Sequence, residues 1–251
     1  MSCDVYLEKI QSLLKKLEKE QKENIKEAAK IMAGSIYKER FVFLFGSGHS
    51  ILPCMDIFPR YGAFVGLQPI TDSRLMWSSV VGPGGTRELL WIERQEGYVK
   101  EVLKSYDMIK DDSIIIFSHG GVNAAPVEMA LICKSKGMKV IAITNMEYFK
   151  VSKPVHSSCK RLGDIGDVVI DNCTPIEDSL VKIEGLDYKV APGSTVTDIV
   201  ISMSLVSETA KLLTEMGIKL DVFVSPTVKD ADPHHNEKVY EKYMEKVYKK
   251  W

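Results

Sequence analysis

The sequence predicts an α/β protein, a doubly wound parallel sheet flanked by helices, on three observations. Continuous apolar runs of about five residues recur along the chain, the pattern of strands buried on both faces. Charged stretches with apolar residues at three- and four-residue spacing separate those runs, the pattern of covering helices. Two of the runs also open directly into short glycine-, serine- and histidine-bearing segments, GSGHS at 46–50 and SHGGVN at 118–123.

The elements follow in order. From Asp4 to about Tyr37 the chain is charged and proline-free, with Leu7, Ile10, Leu14, Leu17, Ile25, Ala28, Met32 and Ile36 at helical spacing. At 1.5 Å per residue this helix would span about 50 Å, longer than a small domain is wide. Residues 1–38 are therefore read as a helical segment that packs on the remaining domain, 39–251, and on a partner subunit. Strands are expected at Phe41–Phe45, Ala63–Leu67, Ser113–Phe117, Lys139–Thr144, Asp167–Ile170 and Leu220–Val224. Helices are expected at about Ile51–Arg60, Leu89–Lys110, Pro126–Lys136, Cys159–Asp164 and Val196–Met216. A last helix begins near the Asp232-Pro233 start signal and runs toward Trp251. The glycine-rich stretch Gly82–Gly85 reads as an active-site loop or helix approach.

Composition narrows the class of function. The 251 residues are 45% apolar, enough for a substantial core, and 33 Lys plus Arg balance 34 Asp plus Glu. That balance argues against a nucleic-acid partner. No run approaches the roughly 20 apolar residues of a membrane span, and the amino terminus lacks a signal-type apolar core, so a soluble cytoplasmic protein is expected. Cysteines at 3, 54, 133, 159 and 173 are odd in number and scattered, which fits neither a disulfide framework nor a zinc cluster. No spacing requires a metal or other cofactor. Cys54, near the first loop, is a nucleophile candidate without any local activating group.

In an open parallel sheet, ligands bind beyond the carboxyl ends of the strands, where strand order reverses. The loops Gly46-Ser47-Gly48-His49-Ser50 and Ser118-His119-Gly120-Gly121-Val122-Asn123 occupy such positions, each leading into a helix. Glycines admit close backbone approach, Ser and Asn add donors, and a helix amino terminus favours negative charge. Together they suit a phosphate. GSGHS is neither a nucleotide P-loop nor GxGxxG, and it does not match a GxSxG nucleophile elbow.

FLFGSGHS, IIIFSHGGVNAAPVEMALICKSKGMKVIAIT, HSSCKRLGDIGDVVIDN and APGSTVTDIVISMSLVSETAKLL, in that order, resemble SIS (sugar isomerase) domain proteins, in particular a subgroup of bacterial phosphosugar-binding proteins. The resemblance covers nearly the whole chain from Val5. It implies a five-stranded parallel sheet between helices, dimers or tetramers with sites at subunit interfaces, and a phosphosugar ligand. It also implies that a Ser-x-Ser-Gly-x-Thr type loop holds the phosphate, which here is Ser118, Gly120, Gly121 and Asn123. Gly120 stands where the second serine would be and Asn123 where the threonine would be, so binding leans on Ser47, Ser50, Ser118 and backbone amides, with Ser194 and Thr195 at a later helix start.

Moving a proton between adjacent carbons needs a base, and opening a sugar ring needs a proton donor. Glu93 and Glu96 lie three apart and are expected on one helix face; SIS-type isomerases and etherases place a glutamate in the corresponding helix. His49 and His119 sit inside the two loops, where an imidazole can serve as acid or base. His156 reads as a helix cap, Glu128 as a first-turn carboxylate, Glu208 as facing interface or ligand, and His234 with His235 as an exposed helix start. The expected function is that of a phosphosugar isomerase or lyase. The alternatives are a non-catalytic sensor acting through a partner and a structural oligomer with a degenerate site.

Overall fold

The computed structural model describes residues 1–76 and 84–248. Helix α1 (Ser2–Tyr37) leads into β1 (Val42–Gly46), α2 (Ile51–Ile57) and β2 (Leu67–Pro69). Two short helices follow, α3 (Gly85–Ile92) and α4 (Tyr98–Val102), with a 3-10 turn at Leu103–Ser105. Then come β3 (Ser113–Phe117), α5 (Ala124–Ser135), β4 (Lys139–Thr144), α6 (Met146–Val151), α7 (Leu162–Ile165) and β5 (Val168–Asp171). A small hairpin of β6 (Ser179–Val181) and β7 (Val190–Pro192) precedes the long α8 (Ser194–Glu215) and the last helix α9 (His235–Tyr248).

Strands β1 to β5 form one parallel sheet in the order β2-β1-β3-β4-β5, as the five-stranded reading expects. Because strand side chains alternate between faces, each apolar run feeds two cores. Val42, Leu44, Ile115, Phe117, Ile141 and Ile143 pack on the side of α1, α2 and α8. Phe43, Phe45, Ile114, Ile116, Val140 and Ala142 pack on the opposite side with residues of α3, α4, α5 and α7. A one-residue slip in any central strand would exchange the two sets.

Helix α1 buries Leu17, Ile25, Ala28, Ala29, Met32, Ala33 and Ile36, and packs against α8 and β5. Its end is anchored by an ion pair between half-buried Arg40 and the fully buried carboxylate of Asp112. Arg40 donates to both carboxylate oxygens of Asp112, at 3.0 and 2.7 Å, while the backbone amides of Phe41 and Ile109 donate to the same carboxylate at 2.9 and 2.8 Å.

Several boundaries differ from the sequence reading. Leu220–Val224 is not a strand of the sheet: it runs beside residues 62–65, where Val222 forms one isolated antiparallel bridge with Phe64. The expected strand at Ala63–Leu67 begins only at Leu67. Leu89–Lys110 is not one helix; it breaks at Glu93–Gly97, where Gly97 takes φ 91°. Of the stretch Gly82–Gly85, residues 82 and 83 lie outside the described residues, while Gly84 and Gly85 start α3. Among the described residues no helix is long and apolar enough to cross a membrane.

Candidate functional site

Strand order reverses between β1 and β3: β2 lies on one side of β1, while β3, β4 and β5 extend on the other. The carboxyl ends of those two strands bound the crevice in which open α/β sheets bind ligands. Both singled-out loops start there. Gly46 ends β1, and a Cβ at that position would collide with the Ser50 carbonyl, so the turn into α2 closes only on glycine. Gly121 has φ +62°, and a Cβ there would lie 2.7 Å from Thr144 Oγ1. In the first loop Gly48 is buried, Ser47 and Ser50 are half-buried and His49 is exposed; in the second Ser118, His119, Gly120 and Asn123 are half-buried and Gly121 is buried.

Glu93 joins the two loops. Helix α3 ends at Ile92, which leaves Glu93 as its C-terminal cap with the side chain turned inward. Ser47 Oγ donates to Glu93 Oε2 at 2.9 Å and Asn123 Nδ2 donates to Oε1 at 2.7 Å. The Ala125 amide, in the first turn of α5, donates to the Glu93 carbonyl at 2.9 Å. Burial pushes the carboxyl above the usual glutamate range, and the Ser47 hydrogen bond and Arg94 oppose it only in part. A 320 Å³ cavity opens here, lined by Ser47, Gly48, His49, Thr86, Leu89, Leu90 and Glu93. That volume is in the range of small-ligand sites. Such a carboxyl, poised to accept a proton above an open cavity, is the arrangement a general base requires.

The histidines differ. Desolvation lowers the pKa of His49, while the carboxylate of Asp178 acts the other way. His119 is tied down: its Nε2 lies 3.2 Å from the Ile176 carbonyl and its Nδ1 3.3 Å from Asn172 Nδ2. Ser194 and Thr195 do begin α8, but an internal carboxylate already holds that helix start. Asp178 Oδ1 accepts from the amides of Gly193 and Ser194 at 3.1 and 2.7 Å, and Oδ2 accepts from Ser194 Oγ at 2.8 Å. Likewise Ser47 and Asn123, one donor from each loop, face the Glu93 carboxylate.

Glu96 does not share a helix face with Glu93. It lies beyond the end of α3, where the Ser157 amide donates to Oε1 at 2.7 Å and the Ser157 hydroxyl donates to Oε2. These bonds, with His156 nearby, hold its carboxyl below the usual range. His156 is buried, with Nε2 3.6 Å from Glu96 and 4.0 Å from Glu128. Glu128 accepts from the Gly97 amide at 2.6 Å. Glu208 lies instead on the groove between α1 and α8. His234 bonds Glu237, and His235 bonds the Val222 carbonyl. Cys54 is fully buried, and burial raises its thiol pKa well above the ordinary value, the opposite of an activated nucleophile.

Three polar residues at the site were not singled out in the sequence: Asn172, Asp178 and Asp198. Asp198 is buried in α8, near Asp178 and Asn172, and desolvation raises its carboxyl well above the aspartate range. One available signal was an acid inside an otherwise apolar or small-residue run, TVTDIVISM. Among the described residues no group of three or more His, Cys, Asp or Glu side chains is placed to hold a metal ion.

Fold and site together define an α/β sandwich with a small-molecule crevice at its strand-order reversal. The chain belongs to the SIS domain family: the family model matches residues 5–145. A UPF0309 protein of Caldanaerobacter subterraneus subsp. tengcongensis is 36% identical over 247 residues, covering 97% of this chain and 98% of the relative. A UPF0309 protein of Thermoanaerobacter pseudethanolicus is 36% identical over 96% of this chain and 97% of its own length. Among solved structures, the phosphoheptose isomerase of Neisseria gonorrhoeae aligns with TM-score 0.56 at 13% identity, over 83% of this chain and 97% of that one. That of Francisella tularensis aligns with TM-score 0.54 at 15% identity, over 83% and 96%. At these identities the structures share the fold.

Proposed function

We propose that this protein binds a sugar phosphate at the β1–β3 crevice and moves a proton within it, as an isomerase or lyase. Membership of the SIS family and the phosphoheptose isomerase names of the two structural neighbours support the ligand class. The single observation that carries the proton-transfer reading is Glu93: a buried carboxyl with a raised pKa, held by one donor from each loop and lining the cavity.

In this reading Glu93 is the base. Ser47 and Asn123 orient it, and exchange part of their bonding to the ligand when the phosphate enters. Gly46, Gly48, Gly120 and Gly121 shape the phosphate cup and the hydroxyls of Ser50 and Ser118 supply its donors, since the amides of Gly48, Ser50, Ser118 and Gly121 already donate within the protein. His49, exposed at the cavity mouth, reaches ligand oxygens, and His119 contributes a donor from the second loop. Glu96 has a structural role, pinning the turn after Glu93 to residues 156–157. Ser194 and Thr195 serve the α8 cap with Asp178. The protein works in the cytoplasm as a homo-oligomer, with a second copy covering the groove between α1 and α8.

A thermal-shift series with sugar 6-phosphates and amino-sugar phosphates tests the binding step. A ligand at 100 times its Kd stabilises the fold by about 2.7 kcal/mol. A true ligand should therefore raise the melting temperature by several degrees, and inorganic phosphate by less. No shift with any sugar phosphate would remove the ligand class. Binding without turnover would leave the sensor reading in place.

A further inference from the structure

Asn172, fully buried at the carboxyl end of β5, lies at the centre of a hydrogen-bond network whose donors and acceptors can be counted. Its Oδ1 faces three donors: the Thr174 hydroxyl at 2.8 Å, the Thr174 amide at 3.3 Å and Asn145 Nδ2 at 3.4 Å. Exchanging the oxygen and nitrogen of this amide would set its NH2 against two N–H groups, so the orientation is fixed. Asn172 Nδ2 must then face His119 Nδ1, 3.3 Å away.

A donor pointing at Nδ1 requires a lone pair there. The Thr174 hydroxyl, 3.4 Å from the same nitrogen, has its hydrogen committed to Asn172. At the other end of the ring Nε2 faces the Ile176 carbonyl at 3.2 Å, and a carbonyl can only accept. Both ends of the imidazole give the same answer: Nδ1 bare, Nε2 carrying the hydrogen. The backbone of His119 is fixed as well, its carbonyl accepting from the Asn145 amide at 3.0 Å and from Thr144 Oγ1 at 3.2 Å. The Ile176 carbonyl, in contrast, belongs to a solvent-exposed residue of the segment leading into β6.

We propose that Asn172 is a positioning residue that locks His119 in the Nε2–H tautomer, so that the second loop presents a fixed hydrogen-bond donor to a ligand oxygen, which replaces the Ile176 carbonyl on binding. The ligand chemistry is that of an ether or hydroxyl oxygen, such as a sugar ring carries. This deepens the function proposed above and rests on it for the identity of the ligand, but the tautomer is a property of the free protein. A histidine in the same loop without this lock would exchange tautomers and offer donor and acceptor in turn.

Long-range proton–nitrogen correlation spectra of the 15N-labelled protein test the lock without any ligand. They are recorded at about pH 8, above the ordinary imidazole titration, with His119 assigned by the signals lost in His119→Gln. The expected spectrum shows His119 with a non-protonated Nδ1 and a protonated Nε2. An Nδ1–H ring, or averaging of the two forms, overturns the proposal. In Asn172→Asp the new carboxylate accepts at Nδ1 and should invert the tautomer. Asn172→Ser removes the donor without burying a charge and should give a mixture. If either variant folds and keeps a pure Nε2–H ring, Asn172 is not the cause; if neither folds, an Nδ1–H or averaged ring in the wild type still overturns the proposal. With a ligand that turns over, Asn172→Asp should lower kcat at least tenfold with KM little changed. Finding the tautomer as expected but no turnover of any sugar phosphate would instead count against the proposed function alone.

Discussion

Glu93 draws its character from its neighbours: burial raises its proton affinity, while Ser47 and Asn123 keep its oxygens oriented. Its folded pKa lies above the ordinary value, so activity that needs the ionised base should rise with pH through a point above the usual glutamate range. A pH–rate profile checks this, and a rise centred at an ordinary glutamate value would contradict it. Asp198 permits a parallel test by stability. Its raised pKa means that its contribution is fully present below the ordinary aspartate value of 3.8 and is lost as pH rises through the folded pKa. The stability of the wild type relative to Asp198→Asn should therefore decline across that interval, as followed by urea midpoints of both proteins at a series of pH values. The loops that bear Ser47 and Asn123 were legible from their glycines and hydroxyls. The choice of Glu93 over Glu96 was not, because three-residue spacing says where two side chains stand on a helix only if the helix continues. It ends at Ile92, and Gly97 in the sequence was the available stop signal. Asn172 was silent for a different reason, since its partners His119 and Asn145 are distant in sequence, while Asp198 left only the signal of an acid in an apolar run.

At the scale of elements, the strands declared themselves where a continuous apolar run meets two covered faces, as in Ser113–Phe117 and Lys139–Thr144. Leu220–Val224 looked similar, yet Asp221 interrupts its run and it pairs with residues 62–65 through a single bridge. The hairpin β6–β7 escaped notice because each strand has only three residues, one ending in proline. That hairpin matters to the site, since Asp178 at its start caps α8. The end of α1 and the starts of β1 and β3 depend on Asp112, whose buried carboxylate satisfies Arg40 and two backbone amides. Asp112→Ala leaves a half-buried cation and two amides unpaired, and should cost about 3 kcal/mol, measured by chemical denaturation. A loss below about 1 kcal/mol, the range of exposed pairs, would show that the pair is not structurally decisive.

For the molecule as a whole, the length of α1 is the feature one copy leaves incompletely covered. A 620 Å³ groove between α1 and α8 presents Leu14 and Met203 with Glu18, Lys22 and Glu208 at its walls. Two copies laid antiparallel would set Glu18 of one against Lys22 of the other, a self-complementary arrangement of the kind a two-fold interface needs. Light scattering should therefore give a dimer or a multiple of it, and Leu14→Glu with Met203→Glu should shift it to monomer without loss of helical signal. A wild-type monomer at micromolar concentration would contradict the interface. The sheet order itself brings the β1 and β3 loops together over Glu93, so proton transfer at that carboxylate can be tested on the ligand itself. That test is solvent deuterium incorporation into a bound sugar phosphate, followed by NMR for the wild type and for Glu93→Gln. Incorporation is expected at the carbon beside the carbonyl, reduced about 10²–10⁴-fold in Glu93→Gln while the ligand's thermal shift is retained. Undiminished exchange in that variant, or none in the wild type with any sugar phosphate that binds, would contradict proton transfer by Glu93.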